Sequence, residues 1–168
     1  AKILGLGYPG GPAIEKAAHT GDETAIDFPR ALMERDNLDF SFSGVKTAVL
    51  YYVQKQKQQN KDFSIADVAA SFQKAVVDAL VEKTFRALAH TQCNKLVLAG
   101  GVVRNTALRT AFEQRCNQEH ITLKMPAPLL CTDNAGMIAR AGHLRLKRGE
   151  RSDYSLDAAP NLSLQSTA

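Results

Sequence analysis

The stretch 95–105 constrains the fold of this chain more than any other part of it. A short apolar run over 96–99 leads directly into Gly100 and Gly101, and an amphipathic segment follows from Arg104 onward. This order predicts a buried strand, a tight turn without Cβ atoms and the start of a helix. Such a turn can bring backbone N–H groups and a helix N-terminus against a phosphate, so it points to nucleotide chemistry.

A second short apolar run, Ile121 to Met125, predicts another strand after a helix that runs from Arg104 to Gln118. A strand–helix–strand order favours a parallel pair of strands with a right-handed crossover. Two clear strands are few for a doubly wound α/β domain. Either residues outside this chain complete the sheet, or the chain is mainly helical with a residual sheet.

Apolar periodicity predicts further helices, of which the most prominent is largely buried. It has two adjacent apolar stripes, one of Ile65, Val68, Phe72, Val76 and Leu80 and the other of Val77, Val81, Phe85 and Leu88. Ser64 and Asp67 have the spacing of a capping box at its start. The segment after residue 151 has no periodicity. We therefore expect a body over 1–151 and an extended tail over 152–168. The further predicted helices are Ala13–His19, Val45–Lys57, Ile65–His90 and Asp133–Lys147. The small residues of the last of these allow close packing. The residues expected on one apolar face are Val45, Val49, Tyr52 and Val53 in the second helix, and Leu108, Ala111, Phe112 and Cys116 in the helix Arg104–Gln118.

Charge is concentrated in one part of the chain. The net charge is only +4, but the segment 104–151 holds nine Lys and Arg against four Asp and Glu. Such a segment can attract a polyanion such as RNA. A solvated helix face explains the same pattern, and the sequence leaves both interpretations open.

Several classes of protein and site are disfavoured. The three cysteines are widely spaced without a C-x-x-C pair, which argues against a disulfide framework and a structural zinc site. The four histidines lack metal-ligand spacing, and neither a nucleophile elbow nor a P-loop occurs, so no catalytic residue is assigned. Because no signal peptide or membrane-spanning run is evident, we expect a cytoplasmic protein without a membrane partner. The abrupt start of the sequence suggests a piece of a longer protein.

Three polar residues each have a structural and a functional interpretation. Asn105 can cap a helix or donate to a phosphate or a ribose hydroxyl. Glu15 can stabilise the start of its helix or accept from a ribose hydroxyl. Asp133, like Thr132, can cap the last helix, or its carboxylate can bind a cation at the edge of the sheet.

Four motifs together resemble one family, the TsaD family of tRNA adenosine threonylcarbamoyl transferases, long described as O-sialoglycoprotein endopeptidases or glycoproteases. The resemblance extends to about Asn161. The motifs are Tyr8-Pro9-Gly10-Gly11-Pro12, Leu38-Asp39-Phe40-Ser41-Phe42-Ser43-Gly44-Val45-Lys46-Thr47, Ala99-Gly100-Gly101-Val102 with Asn105, and Cys131-Thr132-Asp133-Asn134.

The resemblance implies an α/β chain that forms the C-terminal part of the two-lobed ATPase fold of actin, heat-shock proteins and sugar kinases (ASKHA). It implies transfer of threonylcarbamoyl from threonylcarbamoyl-AMP to N6 of the adenosine beside the anticodon. Family partners are tRNA, a TsaB-like paralogue and a TsaE-like ATPase. The family cofactor is one divalent metal, iron or zinc.

The resemblance also implies roles for individual residues. Gly11 and Asn105 contact the nucleotide-like ligand, a glutamate at the position of Glu15 does so in some members, and Asp133 is a metal ligand. The family's H-x-x-x-H metal pair is absent here, so we expect this chain alone to be inactive. A metallo-endopeptidase and a non-catalytic partner-binding fragment are the alternatives.

Overall fold

A computed structural model describes residues 1–34, 37–158 and 160 of the chain. No helix in this described part is both long and apolar enough to cross a membrane. The described residues form five α-helices, two β-strands and two 3-10 turns. The elements are α1 (Gly10–Ala18), α2 (Ser43–Gln58), α3 (Ile65–Thr91), β1 (Lys95–Val97), a 3-10 turn (Gly101–Arg104), α4 (Thr106–Gln118), β2 (Thr122–Lys124), a second 3-10 turn (Pro128–Leu130) and α5 (Ala135–Lys147).

The chain divides by its internal contacts into two compact units, Ala1–Thr132 and Asp133–Ala168. The boundary predicted from the sequence, between a body over 1–151 and a tail over 152–168, is a different division and stays a prediction. Residues 159 and 161–168 of that tail, including the end of the family resemblance at Asn161, lie outside the described residues.

The long helix α3 is the central element of the first unit. Its 27 residues extend about 40 Å at 1.5 Å per residue. Two separate hydrophobic clusters form along it. The N-terminal half of α3 packs with α1 and α2 in one cluster, and its C-terminal half packs with α4 and the strands in the other.

The first cluster buries one face of α2, as its sequence predicts. Val45, Val49 and Val53 recur every four residues and are all buried. Tyr52 lies beside them and packs edge-on against Phe28, with ring centroids 6.0 Å apart. Because the loop residue Phe28 is also buried, the same cluster holds the connection between α1 and α2 in place.

The second cluster supports the small sheet. From α4 it takes Leu108, Phe112 and Cys116, three of the four residues predicted to face inward, whereas the fourth, Ala111, is only partly buried. The ring of Phe112 stacks at 6.4 Å from the ring of Phe85 on α3. β1 and β2 are parallel, with Leu96 opposite Leu123, which confirms the predicted pairing. Within the described residues the sheet has two strands, so the described chain is helix-rich with a small parallel sheet.

The predicted stripes of α3 face the two clusters except at Ile65, which is 42% exposed. Val68, Phe85 and Leu88 are buried, and the other stripe residues are partly buried. The sequence missed a further buried row of small and polar side chains at intervals of four: Ser71, Ala75, Ala79 and Lys83. Small side chains allow close approach of neighbouring backbone. At Gly21, a Cβ atom would lie 2.1 Å from the carbonyl oxygen of Ala66 on α3.

The start of α3 follows half of the predicted capping box. The hydroxyl of Ser64 accepts the backbone N–H of Asp67 at 3.1 Å, which confirms the N-cap. The carboxylate of Asp67 accepts the backbone N–H of Asp22 at 2.9 Å. Its role is therefore to bind the loop after α1 to the first turn of α3.

The second unit contains α5. Small residues in α5 suggested close packing, but none of its side chains is buried in the described structure. Met137 and Ile138 are 51% and 76% exposed. The cap of this helix also differs from the prediction. Asn134, rather than Thr132 or Asp133, caps α5 by accepting the backbone N–H of Met137 at 3.1 Å.

Candidate functional site

The glycine turn after β1 is open and conformationally specialised. Gly100 has φ +99°, which favours glycine, and a Cβ on either Gly100 or Gly101 would meet no atom within 4 Å. The predicted direct entry into a helix near Arg104 is wrong. A 3-10 turn follows the glycines first, closed by the N–H of Val103 donating to the carbonyl of Gly100 at 3.1 Å. The helix itself begins at Thr106.

Two side chains cap α4, one from the residue before it and one from α1. Asn105 Oδ1 accepts the backbone N–H of Leu108 at 2.9 Å, so its capping interpretation is correct. Glu15 Oε1, on α1, accepts the backbone N–H of Thr106 at 2.7 Å. The structure thus brings two of the sequence-predicted site residues to the same helix end, although 90 positions separate them in the chain.

The carboxylate of Glu15 decides what the end of α4 can bind. A helix N-terminus carries partial positive charge and normally favours a phosphate. Here Glu15 already supplies a negative charge at that end. A phosphate there would be repelled, whereas a hydroxyl group could donate to the remaining lone pairs of the carboxylate.

The N-terminus of α1 has no acidic residue in its first turn, whereas that of α4 is bonded to the carboxylate of Glu15. The helix begins at Gly10, three residues before the predicted start, so Gly11 lies in its first turn. Pro9 occupies the capping position without a side-chain cap hydrogen bond. The early start is explained by the N–H of Ala13, which donates to the carbonyl of Pro9 at 3.2 Å. Gly11 is exposed, with open space where a Cβ would be, so an anion can reach this turn.

Gln73 on α3 is a polar residue of the site that the sequence did not indicate. Its Oε1 accepts a hydrogen bond from Asn105 Nδ2 at 2.7 Å. Gln73 lies between the apolar positions of a long helix, where a polar residue is ordinarily solvent-facing. Only the tertiary packing of α3 against α4 reveals its partner.

Arg109, on α4, donates hydrogen bonds to the backbone of the glycine turn. Its guanidinium donates to the carbonyl of Val103 at 3.2 Å and to the carbonyl of Pro126, also at 3.2 Å. These bonds link the turn after β1 to the turn after β2. The sequence showed Arg109 only as one of several basic residues, yet its donors are used inside the protein.

Lys83 anchors the loop that contains the second motif. The side chain is 1% exposed, and its ammonium donates to the carbonyls of Asn37, at 3.1 Å, and Asp39. The ring of Phe40 lies 5.9 Å from the same nitrogen and stacks on Phe42. The motif is thus a loop up to Phe42 and helical from Ser43. No sequence signal indicated Lys83, because the buried row of α3 to which it belongs is evident only from the structure.

Asp133 belongs to the second unit, where it is exposed just before the cap of α5. Among the residues that the structure describes, no three His, Cys, Asp or Glu side chains gather in a way that could hold a metal ion. Catalytic metals need several preorganised donors. The described residues therefore do not fit a metal by themselves, and Asp133 could contribute one ligand.

Comparison with known proteins identifies related sequences. The model of the TsaD family, described as tRNA N6-adenosine threonylcarbamoyltransferase, matches residues 1–140. Proteins of that name from Desulfitobacterium hafniense (strain Y51) and Clostridium botulinum (strain Hall) are 50% and 46% identical over 164 residues. Each alignment covers 98% of this chain and 48% of the relative. The corresponding protein of Thermosipho africanus (strain TCF52B) is 49% identical, with 98% and 49% covered. The chain thus spans about half the length of the curated relatives it matches.

Proposed function

Because this chain belongs to the TsaD family, we propose that it provides the adenylate-binding part of a tRNA-modifying transferase with the ASKHA fold. The enzyme transfers threonylcarbamoyl from threonylcarbamoyl-AMP to N6 of the adenosine adjacent to the anticodon. The observation that carries the proposal is the junction of α1, α3 and α4, where Glu15 and Asn105 meet at one helix end beside the open glycine turn.

The charges at this junction support separate positions for the phosphate and the ribose of the nucleotide. The adenylate phosphate binds near Gly11 and the turn of Gly100 and Gly101, where backbone N–H groups are accessible. The ribose binds near Asn105 and Glu15, because a carboxylate accepts from hydroxyl groups and repels phosphate. The nucleotide thereby lies across the gap between the starts of α1 and α4.

The chemistry needs positioning more than a protein nucleophile. The carbonyl carbon of threonylcarbamoyl-AMP belongs to a mixed carbamic–phosphoric anhydride and is electrophilic. The N6 amine of the tRNA base attacks it, the bond to the phosphate oxygen breaks, and AMP leaves. Fixed hydrogen-bond donors around the phosphate stabilise the charge that develops on AMP. The absence of an assigned nucleophile in the sequence is consistent with this.

One divalent metal, iron or zinc, accompanies this proposal, with Asp133 as one of its ligands. Such an ion, held in part by Asp133, would supply Lewis-acid chemistry to carbonyl or phosphoryl oxygens. The other ligands come from the part of the family's length that this chain does not span. The described residues on their own do not assemble that site.

The partners that we propose are tRNA, a TsaB-like paralogue and a TsaE-like ATPase, in the cytoplasm. The excess of basic residues over 104–151 supports RNA binding by long-range attraction. Part of that charge is used internally, since Arg115 pairs with Glu119 and Arg145 with Glu150. The solvated-face interpretation accordingly holds for some of these residues and leaves others for the polyanion.

The test is formation of threonylcarbamoyladenosine on a tRNA transcript supplied with threonylcarbamoyl-AMP. We expect no turnover by this chain alone. We expect turnover by a chimera that joins it to the remaining half of the Desulfitobacterium hafniense relative, and loss of turnover when the chimera carries Asn105→Ala. A folded chimera that is inactive while the intact relative is active would contradict the proposal. Cleavage of a glycoprotein by the same metal-loaded chimera would favour the endopeptidase, and partner capture without either activity would favour a binding fragment.

A further inference from the structure

Both ends of the Asn105 amide are held by the protein. Oδ1 faces α4 and accepts from the N–H of Leu108 at 2.9 Å, and Nδ2 faces α3 and donates to Gln73 at 2.7 Å. An asparagine amide carries two N–H hydrogens. Gln73 takes one of them, and the second remains for an acceptor on a ligand. The direction of that second N–H is fixed because the first is bonded.

We propose that Gln73 is a positioning residue, which orients the Asn105 amide so that it presents an N–H donor to a ribose oxygen of the nucleotide. This inference rests on the proposed function, since it needs the nucleotide at Asn105. Gln73 acts through Asn105 and does not itself touch the ligand. Its contribution is to remove rotational freedom from the amide before the ligand arrives.

The arrangement explains why the acceptor comes from α3. Glu15 Oε1 and Asn105 Oδ1 both accept backbone N–H groups in the first turn of α4. The partner of Asn105 Nδ2 therefore comes from another helix. α3 is the central helix of the first unit and packs in both hydrophobic clusters. An acceptor on this helix has a well-defined position, and a partly buried hydrogen bond from it holds the amide more firmly than water does.

The substitution that removes the acceptor with least disturbance is Gln73→Met. Met and Gln have similar length and helix propensity, so the stability of α3 should change little. Gln73→Glu keeps an acceptor oxygen. Gln114→Met, on the exposed face of α4, is the matched control for introducing a methionine.

The first measurement follows the amide itself, without ligand. In the ¹⁵N-labelled chain the side-chain N–H hydrogen of Asn105 that is bonded to Gln73 should exchange slowly. Exchange should accelerate in Gln73→Met and stay slow in Gln73→Glu and Gln114→Met. Equal exchange in Gln73→Met and in the unaltered chain would overturn the proposal, whatever the function of the protein.

The second measurement is the affinity of the chain for AMP, by calorimetry at millimolar concentrations. We expect Gln73→Met to weaken AMP binding about 3- to 10-fold. In an Asn105→Ala background the same substitution should change the affinity less than about 1.5-fold, because the amide that it orients is gone. A purely structural role would lower the melting temperature and would leave the AMP affinities uncoupled.

The outcomes separate the two proposals. If Asn105→Ala weakens AMP binding and Gln73→Met does not, the positioning role is wrong and the nucleotide site stands. If the chain does not bind AMP, or binds it equally well with Asn105→Ala, the placement of the nucleotide at Asn105 is wrong. The role of Gln73 then falls with it.

Discussion

Replacing Lys83 by methionine tests how the loop of the second motif is held. The ammonium of Lys83 donates to two backbone carbonyls, those of Asn37 and Asp39, and its side chain is 1% exposed. Methionine keeps the length of the buried stem and removes only the donor. The expected result is a less stable chain in which the loop opens more often.

The magnitude follows from two opposing contributions. A hydrogen bond from a charged group contributes about 1.5–3 kcal/mol, so two of them give about 3–6 kcal/mol. Keeping an ammonium out of water costs several kcal/mol, which methionine avoids. The carbonyls belong to residues that are partly or fully exposed, so water can reach them when the lysine is removed. We expect a net loss of about 2 kcal/mol in the free energy of unfolding, or about 4–8 °C in melting temperature.

The assay combines thermal unfolding with hydrogen exchange of the backbone amides at 37–42. The matched control is Lys74→Met on the same helix. Lys74 is 34% exposed and lies 3.4 Å from Glu23 and 3.7 Å from Asp78, an exposed arrangement that contributes at most about 1 kcal/mol. We expect faster exchange over 37–42 in Lys83→Met alone. If both variants lose the same stability and leave that exchange unchanged, the reasoning about the buried ammonium is refuted.

Two further outcomes can be measured on the same chain. Gly21→Ala should destabilise it by about 3 kcal/mol or more, because the new Cβ would collide with the backbone of Ala66. Gly142→Ala on α5 has open space and should be neutral or stabilising by up to about 1 kcal/mol. Denaturant titration compares the two variants, and equal effects on the free energy of unfolding would contradict the close approach at Gly21. Iodoacetamide should modify the exposed Cys93 well before Cys116, because burial raises the pKa of the Cys116 thiol and leaves less thiolate. Mass spectrometry under native conditions checks this order, and equal rates would show that Cys116 is accessible.

The sequence predicted those features that depend on local periodicity and the order of elements. The apolar face of α2, three of the four inward residues of α4 and the parallel pairing of β1 with β2 were all read correctly. The two helix faces are encoded by spacing within one segment, and the strand pairing follows from the strand–helix–strand order. The family was also recognised from four short motifs.

The sequence did not predict features that arise when distant segments meet. Gln73 and Arg109 look like ordinary polar positions of helices, and their partners lie 32 and 17 residues away. Such contacts have no local signal, so periodicity cannot find them.

The sharing of α3 between two hydrophobic clusters has a consequence for the way the first unit comes apart. Both clusters include residues of α3, so unfolding of α3 in one cluster also removes packing contacts from the other. The unit Ala1–Thr132 should accordingly lose both clusters in a single cooperative transition rather than in two steps. Because α1 and α4 pack against different halves of the same helix, this coupling also fixes the position of the start of α1 relative to the start of α4.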